Sequence, residues 1–140
     1  MRDEVRRALD IGPSASIAER TIDITTTGRR SGRARRIEIC FYRESGETYI
    51  SGIPGPRKRD WLINIEAEPK FVFHLKGSVK ADLPAMATVI TASEERRRIL
   101  GDFVDEFNQR NGDDNLWPSA NLEEWVAGSP LVRVDFLEVG

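Results

Sequence analysis

Short segments in which apolar and polar side chains alternate recur along almost the whole chain. Successive side chains of a strand point to opposite faces, so this period of two residues predicts β-structure. We predict six strands, over residues 21–27, 35–43, 48–53, 71–76, 78–90 and 131–139. Pro84 is expected to interrupt the fifth, because proline cannot donate to a sheet ladder. Antiparallel strands this short and regularly spaced favour a small closed barrel.

Helical patterns lie at the margins of this barrel. We predict helices over residues 2–10, 60–67, from Thr91 to about Gly112, and 121–127. Asp60 is the expected N-cap of the second helix, which Pro69 ends, and Thr91 with Glu94 fits a capping box for the third. Residues 14–19 are expected to be a connector. The predicted fold class is therefore mainly β with flanking helices (α+β).

Length and charge limit what the chain can be. With 140 residues it is expected to form one domain. Within this domain, residues 1–19 would be an N-terminal helix and connector, and residues 20–140 a barrel with helices. Its 21 basic and 23 acidic residues create no global field for nucleic acid, and its arginines lack interleaved aromatics. No stretch approaches the roughly 20 apolar residues that span a bilayer. We expect a cytoplasmic monomer or homodimer, at most peripheral to a membrane.

Residues 25–36 read Thr-Thr-Thr-Gly-Arg-Arg-Ser-Gly-Arg-Ala-Arg-Arg, so five arginines crowd into eight positions after three threonines. We call residues 28–36 the arginine turn. Gly28 and Gly32 allow positive φ and close approach of a ligand, and Ser31 offers a hydroxyl and an N–H. Because guanidinium groups favour two-point hydrogen bonds to phosphate or carboxylate, the turn is predicted to bind the anionic part of a ligand. The alternative is a solvated basic loop.

A second basic cluster, residues 57–59, directly precedes the helix that begins at about Asp60. Trp61, Asn64 and Ile65 are spaced to share one face of that helix. Cations, a helix N-terminus and an aromatic ring together suit an anionic ligand that contains a ring. The alternative for Trp61 is simple packing in the core.

Several kinds of chemistry are excluded by residue content. His74 is the sole histidine and Cys40 the sole cysteine, so a histidine-rich metal site and an intrachain disulfide are ruled out. We expect His74 to have a structural role, and nothing marks Cys40 as a nucleophile. Walker and Rossmann glycine patterns are missing. With no catalytic acid or base identified, an enzyme of this sequence would take its chemistry from a bound cofactor.

Two motifs together resemble the deazaflavin-dependent nitroreductase family. They are Thr-Thr-Thr-Gly-Arg-Arg-Ser-Gly-x-x-Arg over residues 25–35, and Trp61-Leu62-x-Asn64 followed by Pro69 before a strand. The resemblance covers roughly residues 20–91, and the last strand also fits. It implies a split β-barrel related to flavin-binding reductases. It also implies an oxidoreductase that binds reduced coenzyme F420, a deazaflavin with an anionic tail, and transfers its hydride to a quinone, enone or nitroaromatic.

The resemblance assigns site residues by position. The set predicted to bind the phosphate and tail of the coenzyme is Arg29, Arg30, Ser31, Gly32 and Arg35. Trp61 and Asn64 would lie along the coenzyme. Many family members have a lysine just after the third strand; here Arg57 or Lys58 would supply that charge. On the acceptor side we assign Cys40 and Trp117, the latter in a segment where relatives carry tyrosines.

Two other functions are compatible with the same barrel. One is an FMN-dependent oxidoreductase, which needs phosphate contacts but a less extended positive surface. The other is a barrel that binds a cofactor or lipid without catalysis. Coenzyme F420 remains the predicted cofactor, with FMN as the alternative.

Overall fold

The computed structural model describes residues 1–114 and 119–137, with the side chains of 110–114 excepted. Five helices and six strands occupy this part of the chain. In chain order they are α1 (Asp3–Leu9), α2 (Ile17–Arg20), β1 (Thr21–Thr27), β2 (Ala34–Glu44), β3 (Glu47–Ser51), α3 (Asp60–Ala67), β4 (Lys70–Lys76), β5 (Lys80–Val89), α4 (Ser93–Asp114), α5 (Leu122–Gly128) and β6 (Leu131–Phe136).

The six strands form a closed antiparallel barrel in the order β1-β2-β3-β6-β5-β4. This confirms the predicted fold class, a split-barrel-like β-structure with flanking helices. The interior is filled by the apolar side of each strand, where Ile22, Ile24, Phe41, Ile50 and Phe73 are fully buried. The alternation read from the sequence therefore identifies the inward face of these strands.

The structure corrects three local predictions. Residues 14–19 are not only a connector, because α2 begins there with a capping box between Ser16 and Glu19. Pro84 does not interrupt β5. The residue pairs between β5 and β6 begin at Ala85, so no N–H of residue 84 is needed toward β6. The carbonyl of Pro84 accepts a hydrogen bond from the N–H of Leu137. Asp60 is the first residue of α3 and not its N-cap, because the chain turns into the helix one residue earlier.

Helices α4 and α5 cover the outside of the barrel over β2, β3 and the start of β6. A second apolar cluster fills this layer, in which Phe103 of α4 stacks on Tyr42 with 4.5 Å between ring centroids and Trp125 of α5 is buried against Phe107. The described helices include none that is long and apolar enough to cross a membrane.

A buried arginine ties this outer layer to the N-terminal segment. Arg20 is 1% exposed, and its guanidinium donates to Glu106 of α4 at 3.0 Å and to the carbonyls of Gly12, Pro13 and Ala15. The pattern of the sequence gives no indication of this pair, which joins residues 86 positions apart.

His74 lies outside the barrel interior and joins three strands. Its Nε2 is 2.7 Å from the hydroxyl of Thr25, and its Nδ1 is 2.6 Å from a carboxylate oxygen of Asp82. These contacts fit the structural role expected for it. No cluster of three or more side chains suited to a metal ion occurs within residues 1–114 and 119–137.

Candidate functional site

The arginine turn is a tight loop between β1 and β2. The N–H of Gly28 donates to the carbonyl of Arg33 at 2.8 Å, and the N–H of Gly32 donates to the carbonyl of Gly28 at 2.8 Å. Gly32 has a φ of 70°, which a residue with a side chain rarely adopts. A Cβ on Gly28 would lie 2.8 Å from the Ser31 hydroxyl oxygen. The positive φ predicted for these glycines is therefore found at Gly32 and not at Gly28, where the crowding beside Ser31 favours a residue without a side chain.

The turn is docked on α3 through one amide side chain. Oδ1 of Asn64, a residue 5% exposed, accepts from the backbone N–H of Arg29 at 3.2 Å and from its guanidinium at 3.0 Å. The same guanidinium lies 3.5 Å from Asp60. Asn64 thus fixes the position of the turn, which argues against a freely solvated basic loop.

A cleft of about 380 Å³ opens between the turn and α3. We call it the arginine cleft. It is lined by Thr26, Gly28, Arg29, Arg30, Ser31, Arg35, Ile37, Asp60, Trp61 and Asn64. Its volume is within the range of ordinary ligand pockets. The structure therefore brings six of the nine predicted cofactor-binding residues to one cleft: Arg29, Arg30, Ser31, Arg35, Trp61 and Asn64.

Unpaired donors surround this cleft. Within the described residues, Arg30 and Arg35 form no ion pair, and the successive backbone N–H groups of Arg30 and Ser31 have no hydrogen-bond partner. Backbone N–H groups without a partner in a turn are donors available to an anion. In contrast, Arg36 points to the other face of β2 and is paired with Asp23 at 2.9 Å. The cleft is thus suited to a phosphate or carboxylate.

Trp61 has a double role in this geometry. It is 8% exposed and belongs to the apolar cluster inside the barrel, yet it also forms part of the cleft wall. The structure shows that the side chain packs in the core, and contact with a ligand in the cleft stays a prediction.

The second basic cluster lies apart from the arginine cleft. Arg57 and Lys58 line another cleft, of about 400 Å³, on the side of α3 that carries Leu62 and Glu66. We call it the α5 cleft, since the end of α5 forms its opposite wall. Lys58 is paired with Glu66 at 2.8 Å. The structure therefore does not gather the two basic clusters in one cleft.

Three further predicted positions lie elsewhere. Gly32 shapes the turn but does not line the arginine cleft. Cys40 is half-buried on the outer face of β2, packed against the second apolar cluster, and it lines neither cleft. Trp117 is outside the described residues. Thr26 and Ile37 of the cleft wall were not predicted from the sequence as site residues, although both lie in strands beside the turn.

The family model described as F420H(2)-dependent quinone reductase matches residues 5–113, which is most of the chain. The chain belongs to this family. Its members are defined by the coenzyme in their description, so the protein is an F420-dependent reductase and coenzyme F420 is its cofactor. This confirms the predicted enzyme class and cofactor.

Solved structures of low sequence identity share the fold. An F420-H2 dependent reductase (FDR-A) is 18% identical with a TM-score of 0.51, over 82% of this chain and 93% of that one. A conserved hypothetical protein from Mycobacterium tuberculosis is 15% identical with a TM-score of 0.64, over 99% and 82%. A protein described as a putative 5-nitroimidazole antibiotic resistance protein from Bacteroides thetaiotaomicron is 13% identical with a TM-score of 0.62, over 98% and 82%.

The residues of the arginine cleft fit the coenzyme. Its anionic part requires donors that are not already neutralised, and Arg30, Arg35 and the free N–H groups of the turn are such donors. Its ring requires a flat apolar neighbour, and the Trp61 indole in the cleft wall can serve as one.

Proposed function

We propose that the protein reduces a small electron-poor acceptor with coenzyme F420 as the hydride donor, and that a quinone is the acceptor class. The quinone assignment is supported by the description of the family; enones and nitroaromatics are secondary acceptors. Binding of the coenzyme in the arginine cleft is supported above all by the unpaired hydrogen-bond donors around that cleft.

In this proposal the arginine cleft binds the phosphate and the beginning of the coenzyme tail. Arg30 and Arg35 supply charge, and the N–H groups of Arg30 and Ser31 supply directed donors. Asn64 acts indirectly, because it holds Arg29 and with it the whole turn. Trp61 packs against the ring.

The bound coenzyme supplies the hydride, and the chain contributes binding, orientation and exclusion of water. We assign no side chain as catalytic acid or base. Arg57 and Lys58 are not retained as contacts of the coenzyme tail, because both line the α5 cleft and the ammonium of Lys58 is paired with Glu66. Trp117 remains the proposed acceptor contact on the grounds of its sequence position. Cys40 is not retained, because it lines neither cleft.

Calorimetry on four proteins tests the cofactor half. Wild type should bind coenzyme F420 more tightly than FMN. Arg30→Ala and Arg35→Ala should each weaken coenzyme binding by about 1.5–3 kcal/mol, roughly 10- to 150-fold, with a larger loss at low salt. Arg36→Ala is the matched control, since its guanidinium is next in sequence but paired with Asp23 on the other face. Equal losses of coenzyme affinity in all three arginine variants would show that the overall positive charge of the segment, and not the position of an arginine in the cleft, determines binding.

Initial rates with reduced coenzyme F420 test the acceptor half. Menadione, a cyclic enone and a nitroaromatic are compared at matched concentrations. We expect the highest kcat/KM for the quinone. A preference for either of the others by tenfold or more would overturn the quinone assignment while leaving the cofactor assignment intact.

A further inference from the structure

Cationic side chains outnumber anionic ones in the lining of the α5 cleft. Of its lining residues, four are cationic, namely Arg57, Lys58, Arg59 and Arg96, and a single one, Glu66, is anionic. The chain as a whole has a formal net charge of −2, so this excess is local. Concentrating cations in a partly enclosed space is unfavourable unless an anion compensates them.

Arg59 is the cation most in need of a partner. Its guanidinium is half-buried and bonds to the carbonyl of Ile53, but no carboxylate in the described part of the chain pairs with it. Burial lowers the pKa of this group, although arginine stays protonated at neutral pH. The guanidinium also covers Gly52 so closely that a side chain on residue 52 would collide with it.

The opposite wall of the cleft adds a free hydroxyl. Ser129 is 4% exposed, and its Oγ has no hydrogen-bond partner in the described structure. A buried hydroxyl without a partner costs free energy, so it is a further group that a ligand or a bound water would satisfy. Arg96, by contrast, is fully used, because it donates to the carbonyls of Ile90, Trp125, Val126 and Ser129 and so fixes this wall.

The remaining lining is apolar. Leu62, Val89, Ile90, Pro130 and Leu131 contribute to it. The loop after β3 is held across the cleft by the approach of Pro54 to Gly128, where a Cβ would lie 3.3 Å away. The space is thus bounded by fixed backbone on two sides.

We propose that the α5 cleft is a second ligand site, separate from the arginine cleft, which binds a small molecule bearing a carboxylate on an apolar body. Arg59 and Arg57 bind the carboxylate and Ser129 supplies one more hydrogen bond. The apolar lining packs against the body of the ligand. This site is independent of the proposed function, because it neither uses nor blocks the residues assigned to the coenzyme phosphate.

The test is calorimetry with 2-naphthoate and its neutral analogue 2-naphthamide, on the full chain, with and without saturating coenzyme F420. We expect 2-naphthoate to bind about tenfold more tightly than the amide, at the same affinity in both conditions. Equal binding of the two compounds, failure of 2-naphthoate to bind, or its displacement by the coenzyme would each overturn the proposal.

Variants locate the site. Arg59→Met should weaken 2-naphthoate binding about tenfold, whereas Arg97→Met should not change it, since Arg97 is paired with Glu123 outside the cleft. Ser129→Ala removes only an unpaired hydroxyl, so it should keep the thermal stability of wild type while weakening 2-naphthoate severalfold. Arg59→Met could fail to fold, so Ser129→Ala and Arg57→Met are measured as separate variants. If both of these fold and bind 2-naphthoate as wild type does, the assignment is refuted. Coenzyme affinity, measured in parallel, should be unaffected by Ser129→Ala.

Discussion

Replacement of Arg20 by methionine should destabilise the protein strongly, because it removes a buried guanidinium that lies 3.0 Å from Glu106. Methionine keeps an unbranched stem of similar bulk, so the change removes mainly the charge and its hydrogen bonds. The guanidinium donates to one carboxylate and three carbonyls and lies 5.1 Å from the centre of the Tyr42 ring. The side chains of Arg20 and Glu106 are 1% and 10% exposed, so solvent screens the pair weakly.

The expected loss follows from this burial. Removing one partner of a buried ion pair costs about 3–5 kcal/mol, since the remaining buried charge loses a close counter-charge and a hydrogen bond. Against a total stability of roughly 5–15 kcal/mol, that is a large fraction. For a chain of this length, it corresponds to a fall in Tm of roughly 10–15 °C.

Denaturant unfolding of a double-mutant cycle is the assay. Arg20→Met, Glu106→Leu and the double variant are compared with wild type, and the cycle subtracts whatever else each single change removes. We expect Arg20→Met/Glu106→Leu to be more stable than the sum of the single losses by about 2 kcal/mol or more. Arg97→Met, which breaks an exposed pair with Glu123, is the control and should cost far less stability than Arg20→Met, because solvent screens the exposed pair. Strict additivity of the two changes would refute the argument.

Three shorter predictions concern other parts of the structure. Hydrogen bonds from Lys76 and then Arg36 lower the pKa of the Asp23 carboxyl. The contribution of Asp23 to folding stability is therefore present above about pH 4 and is lost as the pH falls through the lowered pKa. Asp23→Asn should reduce stability at pH 7 by up to about 1 kcal/mol, and the difference from wild type should vanish when unfolding is measured in acid. Asn64→Leu should release the turn, seen as faster hydrogen exchange at the Arg29 amide and weaker coenzyme binding. Trp61→Phe should stay folded and lose coenzyme affinity. Trp61→Ala should lose coenzyme affinity and also about 3 kcal/mol or more of stability. If Trp61→Phe binds the coenzyme as wild type does, the ring serves only to pack the core.

Local patterns in the sequence were sufficient for the barrel and for the arginine turn. Alternation over a few residues determines which side of a strand is apolar, and Ile22 and Ile24 are buried as that pattern predicts. The turn is also local, because Gly28 and Gly32 define its shape within five residues. The joint occurrence of this turn with Trp61 and Asn64 was enough to indicate the family and the coenzyme.

Only the tertiary structure decided how distant segments meet. Arg20 and Glu106 are 86 positions apart, and no local period links them. The two basic clusters looked like one site in the sequence, but α3 turns Trp61 and Asn64 to the arginine cleft and Leu62 to the α5 cleft. That rotation is set by which helix face the barrel buries, a property of packing between elements. The sequence therefore determined the strands, the turn and the coenzyme, whereas packing determined which cations share a cleft.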